Sequence, residues 1–441
     1  MKKVAFITLG CKVNQYETNA MIQKFVEKGY DIVDYTEKAD IYIVNTCTVT
    51  NMSDRKSGQM LRRVKEINPH AIVAACGCYA QVAKERLEKL PEIDLILGNN
   101  EKKEIVKYVE ESIYKKEETN QKIEETEDVM HTLEFVDFGN VTYTEKTRAV
   151  IKVQDGCDRF CSYCIIPYAR GRVRSRKPES IISEIKSIAN KGIKEVVITG
   201  IHVASYGKDF KEEYRLIDLL EEINKIEGIK RIRLGSIEPL LITEEFISRL
   251  VKLEKICHHF HLSLQSGCDE TLKRMNRKYT TKEFENIVNL LRKNYEDVIL
   301  TTDIIVGFPG ESEEEFNNTY EFLKKIKFYK MHVFKYSPRR GTKAAVMDKQ
   351  IDGNVKEERS QKLIDLSNKN EKEYNETYLG KEVEVLFEEK KENIYKGHTK
   401  NYILVHLPEK DIPKNKLESI ENKMLKLKCV KAENNYITAT L

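Results

Sequence analysis

Arg148-Ala-Val-Ile-Lys-Val-Gln-Asp155 runs directly into Gly156-Cys-Asp-Arg-Phe-Cys-Ser-Tyr-Cys-Ile-Ile-Pro167. The first segment reads as a strand, and the second sets Cys157, Cys161 and Cys164 in a CxxxCxxC spacing. Three thiolates within eight residues can converge on a soft metal from one loop with little backbone reorganisation. The number three is informative. A [4Fe–4S] cube held by three cysteines keeps one iron free for another ligand, much as a catalytic zinc keeps an open position. The alternative is a structural zinc loop with a fourth ligand; the next cysteine or histidine downstream is His202.

Beyond the loop, strand-like runs at 195–200, 231–237, 259–266, 298–307 and 331–338 alternate with amphipathic helical patterns such as 180–190 and 215–226. With the opening strand they make six βα units, which suit a barrel or partial barrel with its chemistry at the C-terminal strand ends. The cluster loop lies on that face. So do Thr199-Gly200, Ser236 with Glu238, Gln265-Ser266-Gly267 and Gly307-Phe-Pro-Gly310-Glu311, where glycine lets the backbone approach a ligand. Strand-to-helix turns also use Gly and Pro for shape alone. Just past the loop, Arg172, Arg174 and Arg176 belong to an arginine run without acids, suited to phosphate or carboxylate or else a solvated positive face. His258, His259 and His261 alternate around Phe260 as a strand entering the barrel wall. Cys257 and Cys429 read as buried thiols and Cys268 as a turn residue.

Upstream, strands at 3–9, 30–34, 39–46 and 71–76 alternate with helical stretches at 14–29 and 53–68. That pattern predicts a doubly wound parallel sheet, with ligands at the carboxyl ends of its strands. Cys11, Cys47 and Cys78 follow such ends, 36 and 31 residues apart. A parallel sheet can gather them at one edge, although isolated cysteines are often only small buried residues. Cys76 competes with Cys78 for the third place. The expected division is a first domain over 1–112, a charged linker over 113–142, the barrel domain over 143–373 and a small β-barrel over 374–441. In that last domain Lys390, Lys391, Lys396 and Lys400 are interleaved with Tyr395 and Tyr402, offering phosphate contacts and stacking surfaces, or merely edge-protecting charge.

The chain has 441 residues, 33 % charged, with a formal net charge of +4. That balance permits a nucleic-acid partner without demanding one. Ten cysteines in so long a chain do not form a disulfide scaffold. Neither a signal-peptide core nor an apolar run of membrane-spanning length is present. The expectation is a cytoplasmic protein with reduced thiols and no membrane partner.

CDRFCSYC resembles the cluster loop of radical S-adenosylmethionine enzymes. TLGCKVNQYET, NTCTVT, GCYAQ, LQSGCDETLKRMNRKYT and DIIVGFPGE are similar, in order and across essentially the whole chain, to the methylthiotransferases of that superfamily. The resemblance implies a methylthiotransferase domain, a radical S-adenosylmethionine domain and a C-terminal TRAM domain. GCKVNQYE followed by NTCTVTNMSDRKS, with GHTKNY near the end, resembles the branch acting on N6-threonylcarbamoyladenosine 37 of tRNA. The isopentenyladenosine branch typically opens GCQMN and the branch modifying a ribosomal-protein aspartate GCxKN; both remain alternatives, as does a non-catalytic metal-containing RNA-binding protein.

Carried over by position, the resemblance implies a [4Fe–4S] cluster on Cys157, Cys161 and Cys164 whose open iron chelates S-adenosylmethionine. A second [4Fe–4S] cluster on Cys11, Cys47 and Cys78 would carry the sulfur. Cys78 is preferred to Cys76 by its GCYAQ context, and Cys268 stands where serine is common. Tyr163, Thr199, Gly200, Ser236, Glu238, Gln265, Gly307 and Gly310 would hold S-adenosylmethionine. Arg172, Arg174, Arg176, Lys396, Lys400 and Tyr402 would hold the tRNA anticodon stem-loop, and a flavodoxin or ferredoxin would supply electrons. Such equipment suits the target bond. The C2–H of adenine is non-polar, beyond the typical 10²–10⁴-fold reach of side-chain acid–base catalysis, and radical chemistry of this kind belongs to cofactors.

Overall fold

The computed structural model describes residues 2–118, 121–144, 147–412 and 420–441. Six strands, β1 (Lys3–Thr8), β2 (Asp31–Val33), β3 (Ile41–Thr46), β4 (Ile72–Gly77), β5 (Leu95–Leu97) and β6 (Ile123–Glu125), form a sheet in the order β2-β1-β3-β4-β5-β6. Every pairing in it is parallel. Alternate residues separate its two faces. Ala5, Tyr42, Val44 and Val73 pack on Leu61 and Val64 of helix Asn51–Ile67. Val4, Ile41, Ile43 and Ala74 pack on Met21 and Phe25 of helix Lys12–Glu27 and on Ile105 and Val109 of helix Ile105–Glu118. The strand order reverses between β1 and β3, which opens a crevice at their carboxyl ends.

The expected linker begins too early. Helix Ile105–Glu118 continues past residue 112, and β6 pairs with β5 as the edge of the sheet. Both segments are charged outward and apolar inward, so average composition hides the buried face.

All six expected barrel strands are present. They are β7 (Arg148–Asp155), β9 (Glu195–Gly200), β10 (Arg231–Leu234), β12 (His259–Leu262), β13 (Ile299–Val306) and β14 (Lys330–Lys335), with two short strands, β8 (Arg174–Ser175) and β11 (Ser236–Ile237), among them. They form two four-stranded sheets, β10-β9-β7-β8 and β11-β12-β13-β14. An Ile232–Ile256 bridge extends β10 toward the second sheet. The result is a partial barrel. Ala149, Ile151, Val196, Ile198, Ile232, Phe260, Leu300 and Ile304 enter the core beneath the outer helices. Period-two alternation then turns Arg148, Lys152, Glu195, Arg233, His259, His261, Asp303 and His332 to the concave side. Helix Gly353–Glu376, begun by an Asp352 carboxylate that accepts from the Asn354 N–H at 2.8 Å, lies along β14 and leads to the last domain.

There, β15 (Glu382–Lys391), β16 (Ile394–Thr399), β17 (Leu404–Pro408), β18 (Met424–Ala432) and β19 (Ile437–Thr440) close a barrel in the order β15-β16-β17-β19-β18. This barrel is docked on the N-terminal end of the larger one. Arg231 donates to the His398 carbonyl at 2.8 Å and Asn401 to that of Asp297 at 2.9 Å.

Two residues expected to contact RNA take part in that docking. Lys400 Nζ donates to the Glu254 carbonyl at 2.7 Å. The Tyr402 ring stacks between His259 and His398 at 4.8 and 4.5 Å, with the Arg148 and Arg233 guanidinia over it at 5.3 and 4.5 Å. A Lys/Tyr pattern looks the same in sequence whether it faces RNA or another domain. Lys396 is half-buried on β16, 3.9 Å from Glu389.

Arg174 and Arg176 are likewise buried, at 1 % and 0 % exposure. Arg176 pairs with Glu184 at 2.9 Å and Asp137 at 3.1 Å, and donates to Tyr16 of helix Lys12–Glu27 at 3.1 Å. Arg174 donates to the Arg170 carbonyl at 2.7 Å. Asp137 and Tyr16 lie 39 and 160 residues from Arg176 and Glu184 lies on the next helix, so the run looks free when read locally. Only Arg172 of the three is exposed. Arg176→Ala is therefore expected to lower the melting temperature while leaving the salt dependence of RNA binding unchanged, whereas removing a side chain that binds phosphate would flatten that slope by about one.

Candidate metal centres

The first set of thiols stands at the crevice of the parallel sheet. Cys11 precedes helix Lys12–Glu27, Cys47 follows β3 and Cys78 follows β4. Each strand ends in a turn that the thiols need. Gly10, at φ +100°, would put a Cβ 2.8 Å from Cys47 Sγ, so only glycine allows that approach. Ser57 holds the Cys47 backbone, accepting from its N–H at 3.4 Å. Burial first, and then the neighbouring thiols, push the Cys11 and Cys47 thiols up, although Arg170 on Cys11 and a backbone N–H on Cys47 pull the other way. Cys76 lies one residue short of the strand end with its side chain in the sheet core, where Sγ faces the Val44 carbonyl at 3.7 Å and burial pushes its thiol up to about 12. The structure thus groups Cys78, not Cys76, with Cys11 and Cys47.

The second set lies on the loop after β7. Gly156, at φ +72°, would place a Cβ 1.7 Å from the Arg172 carbonyl, and the Cys157 N–H donates to the Gly171 carbonyl at 3.0 Å. Phe160 takes a left-handed φ of 46°. Its strained turn is held from below: Asn276 donates to the Phe160 carbonyl at 3.0 Å, and Ser162 binds the Arg274 and Met275 carbonyls at 2.7 and 3.1 Å. Burial and neighbouring thiols outweigh backbone donors and raise Cys157 to about 11 and Cys164 to about 12.

Two arginines serve these sulfurs, and neither was expected in this role. Arg277 donates to Cys161 Sγ at 3.4 Å and pairs with Glu238 at 2.8 Å. Arg170, fully buried, donates from Nε to Cys78 Sγ at 3.2 Å and from Nη2 to Asn14 and Glu17 at 2.6 and 3.0 Å; Nη1 pairs with Glu17 and, at 3.2 Å, with Asp155. Arg170 follows the CxxxCxxC loop by six residues, so one side chain ties that loop to the other thiol set. Lys102 and Lys152 also pair with Glu17, at 2.5 and 2.7 Å. Burial alone would raise the Glu17 carboxyl, yet Arg170, Lys102 and Lys152 hold it well below the usual range. For Asp155, burial opposes Lys152, Arg170 and Arg174, which bring it down to about 2.

Both sets fit an iron–sulfur cluster by their donor chemistry. Each offers three soft sulfurs, and a guanidinium aimed at sulfur is matched by a thiolate ligand rather than a neutral thiol.

The expected S-adenosylmethionine contacts gather less uniformly. Glu238 is buried beside Arg277 and 3.6 Å from His202. Ser236 is exposed on β11. Tyr163 packs edge-on against Phe308 with ring centroids 6.3 Å apart. Gln265, at φ 71°, bridges to Ile304. Thr199 is buried, and Gly200 lies where a Cβ would meet the Gln154 side chain at 2.9 Å. Gly307 faces Lys356 and Gly310 faces Arg274, both at positive φ. The glycines therefore also answer to packing.

Residues 151–323 match the Radical SAM superfamily and residues 3–98 match the uncharacterized protein family UPF0004. The chain is similar to the threonylcarbamoyladenosine tRNA methylthiotransferase MtaB of Bacillus subtilis (strain 168), 42 % identical over 99 % of this chain and 95 % of that one. The protein of that name from Aquifex aeolicus (strain VF5) is 45 % identical over 91 % and 95 %. A tRNA-2-methylthio-N(6)-dimethylallyladenosine synthase of Caldicellulosiruptor saccharolyticus is 38 % identical over 92 % and 87 %. In fold, the chain resembles the radical S-adenosylmethionine methyltransferase TsrM of Kitasatospora setae, with a TM-score of 0.56 over 78 % and 74 % of the chains at 16 % identity. Superfamily membership brings S-adenosylmethionine and a [4Fe–4S] cluster. On its sequence and its fold, the chain belongs to the radical S-adenosylmethionine methylthiotransferase family.

Proposed function

We propose that the chain methylthiolates C2 of N6-threonylcarbamoyladenosine at position 37 of tRNA. The observation that carries this reading is a pair of cysteine triplets at strand ends, with Arg170 beyond the second triplet donating to Cys78 of the first, in a chain similar over nearly its full length to proteins named for that reaction. Cys157, Cys161 and Cys164 would hold a [4Fe–4S] cluster that, given an electron, would supply radical chemistry from S-adenosylmethionine, and Cys11, Cys47 and Cys78 would hold a second that would supply the methylthio sulfur.

The chain's own residues bind and orient. Tyr163, Thr199, Gly200, Ser236, Glu238, Gln265, Gly307 and Gly310 hold S-adenosylmethionine at the strand ends. Arg277 fixes Glu238 relative to Cys161. Arg170, Glu17 and Asp155 keep the two domains in one register, so that the base between them meets both centres. Arg172 and Lys396 offer phosphate contacts for the anticodon stem-loop, whose unpaired bases a protein can splay and read. A flavodoxin or ferredoxin as electron donor and a cytoplasmic location complete the proposal; no helix among the described residues is long and apolar enough to cross a membrane. Nucleoside mass spectrometry of bulk tRNA from a deletion strain tests it. Loss of 2-methylthio-N6-threonylcarbamoyladenosine is expected, and an unchanged level would overturn the reading.

A further inference from the structure

Three neighbouring strands of the second barrel sheet bring ligand-type side chains together on the concave side. His261 lies on β12, Asp303 on β13 and His332 on β14. The parallel register sets Asp303 directly beside His332, and His261 beside Thr301, which shares a face with Asp303 two residues on. One nitrogen from each imidazole and one carboxylate oxygen of Asp303 all lie within 4.8 Å of one another. The two rings are 5.7 Å apart between centroids. The three residues are 42 and 29 positions apart in the chain, so only the fold assembles them.

The hydrogen bonds around His261 point to an ion. Thr301 Oγ1 meets His261 Nδ1 and His259 Nε2, each at 3.0 Å. Its single proton cannot serve both rings, so at least one of them donates to it. Donation from His261 Nδ1 leaves a lone pair on Nε2. That Nε2 is buried and makes no hydrogen bond, although Asp303 Oδ2 stands 3.2 Å away. A buried nitrogen left unpaired beside a carboxylate is unfavourable, and one cation bound by both removes the conflict. Two ligands at about 2.0–2.2 Å from a shared ion lie about 3.0–3.4 Å apart in octahedral or tetrahedral geometry, which matches the observed separation. His332 is exposed, so a small side-chain rotation brings its nitrogen into the same shell. The contact with Thr301 is the outer hydrogen bond that fixes tautomer and ring orientation in a ligating histidine.

We propose that His261 Nε2, Asp303 and His332 form a mononuclear site for a divalent transition-metal ion, separate from the two cysteine sets. Two imidazoles and one carboxylate suit zinc or iron(II); calcium and magnesium prefer oxygen donors throughout, and copper(I) prefers sulfur. Three protein ligands leave at least one position open, where water or another small oxygen donor completes the ion. The site does not depend on which base the protein modifies.

Zinc(II) binding to the iron-loaded, full-length protein under anaerobic conditions tests the site, followed by calorimetry and by X-ray absorption at the zinc edge. The wild-type protein is expected to take up about one zinc per chain with nitrogen and oxygen neighbours and no sulfur. Asp303→Asn and His332→Ala should each weaken that binding at least about tenfold, since even the loss of an outer-shell partner typically costs as much. Asparagine matches aspartate in size and His332 is exposed, so both variants should fold; circular dichroism and iron content at wild-type levels confirm that only this site has changed. Zinc uptake by the wild type no stronger than that of Asp303→Asn, or a bound zinc with sulfur neighbours, overturns the site.

Discussion

Cys157→Ala is expected to abolish S-adenosylmethionine cleavage, while Cys47→Ala leaves cleavage intact and removes the methylthiolated product. Cys157 belongs to the loop after the first barrel strand, beside Glu238, Tyr163 and the other groups proposed to hold S-adenosylmethionine. Cys47 lies in the other domain, against Gly10 and Ser57. Neither substitution removes much packed volume, so both proteins should remain folded, and circular dichroism checks this. Assay of 5′-deoxyadenosine with dithionite as reductant, alongside nucleoside analysis, separates the outcomes. Equal loss of cleavage in two folded variants would contradict the division of labour between the thiol sets.

Arg170→Ala should have the largest effect on stability of any arginine near the site. Truncation leaves Glu17 and Asp155 buried at 1 % and 4 % exposure with fewer cations, and breaking a buried pair by removing one partner costs on the order of 3–5 kcal/mol. A marked fall in melting temperature and poor retention of iron at Cys11, Cys47 and Cys78 are the expected results. Arg170→Lys keeps the charge but not the planar fork that serves Cys78, Asn14, Glu17 and Asp155 together. It should recover part of the stability and less of the iron. An Arg170→Ala protein as stable as the wild type would show that the network contributes little.

Much of the fold was legible because strand periodicity and strand-end position are local properties. The six barrel strands and the doubly wound sheet follow from them, and so does the placement of both cysteine sets on the ligand-binding edges. The choice of Cys78 over Cys76 has a simple structural counterpart: the side chain of Cys76 alternates into the sheet core, while Cys78 stands beyond the strand end. What stayed hidden was pairing across long separations. Arg176 reads as part of a free positive run because Asp137, Glu184 and Tyr16 reach it only in the folded chain, as Asn100 and the Arg170 carbonyl reach Arg174. Arg170 is 153 residues from Glu17 and 92 from Cys78, so its bridging role leaves no local signature. The partners of Tyr402 and Lys400, His259 and Glu254, belong to another domain and leave no local signature for the same reason. Arg277 sits within the LKRMNRKYT stretch, yet only the fold shows its guanidinium reaching Cys161.

Iron analysis after anaerobic reconstitution tests most directly whether two separate thiol triplets each hold a cluster. The wild-type protein should carry about eight irons per chain, and the Cys11→Ala/Cys47→Ala/Cys78→Ala protein about four while still binding S-adenosylmethionine. About four irons in the wild type, or zinc in place of iron, would contradict two clusters.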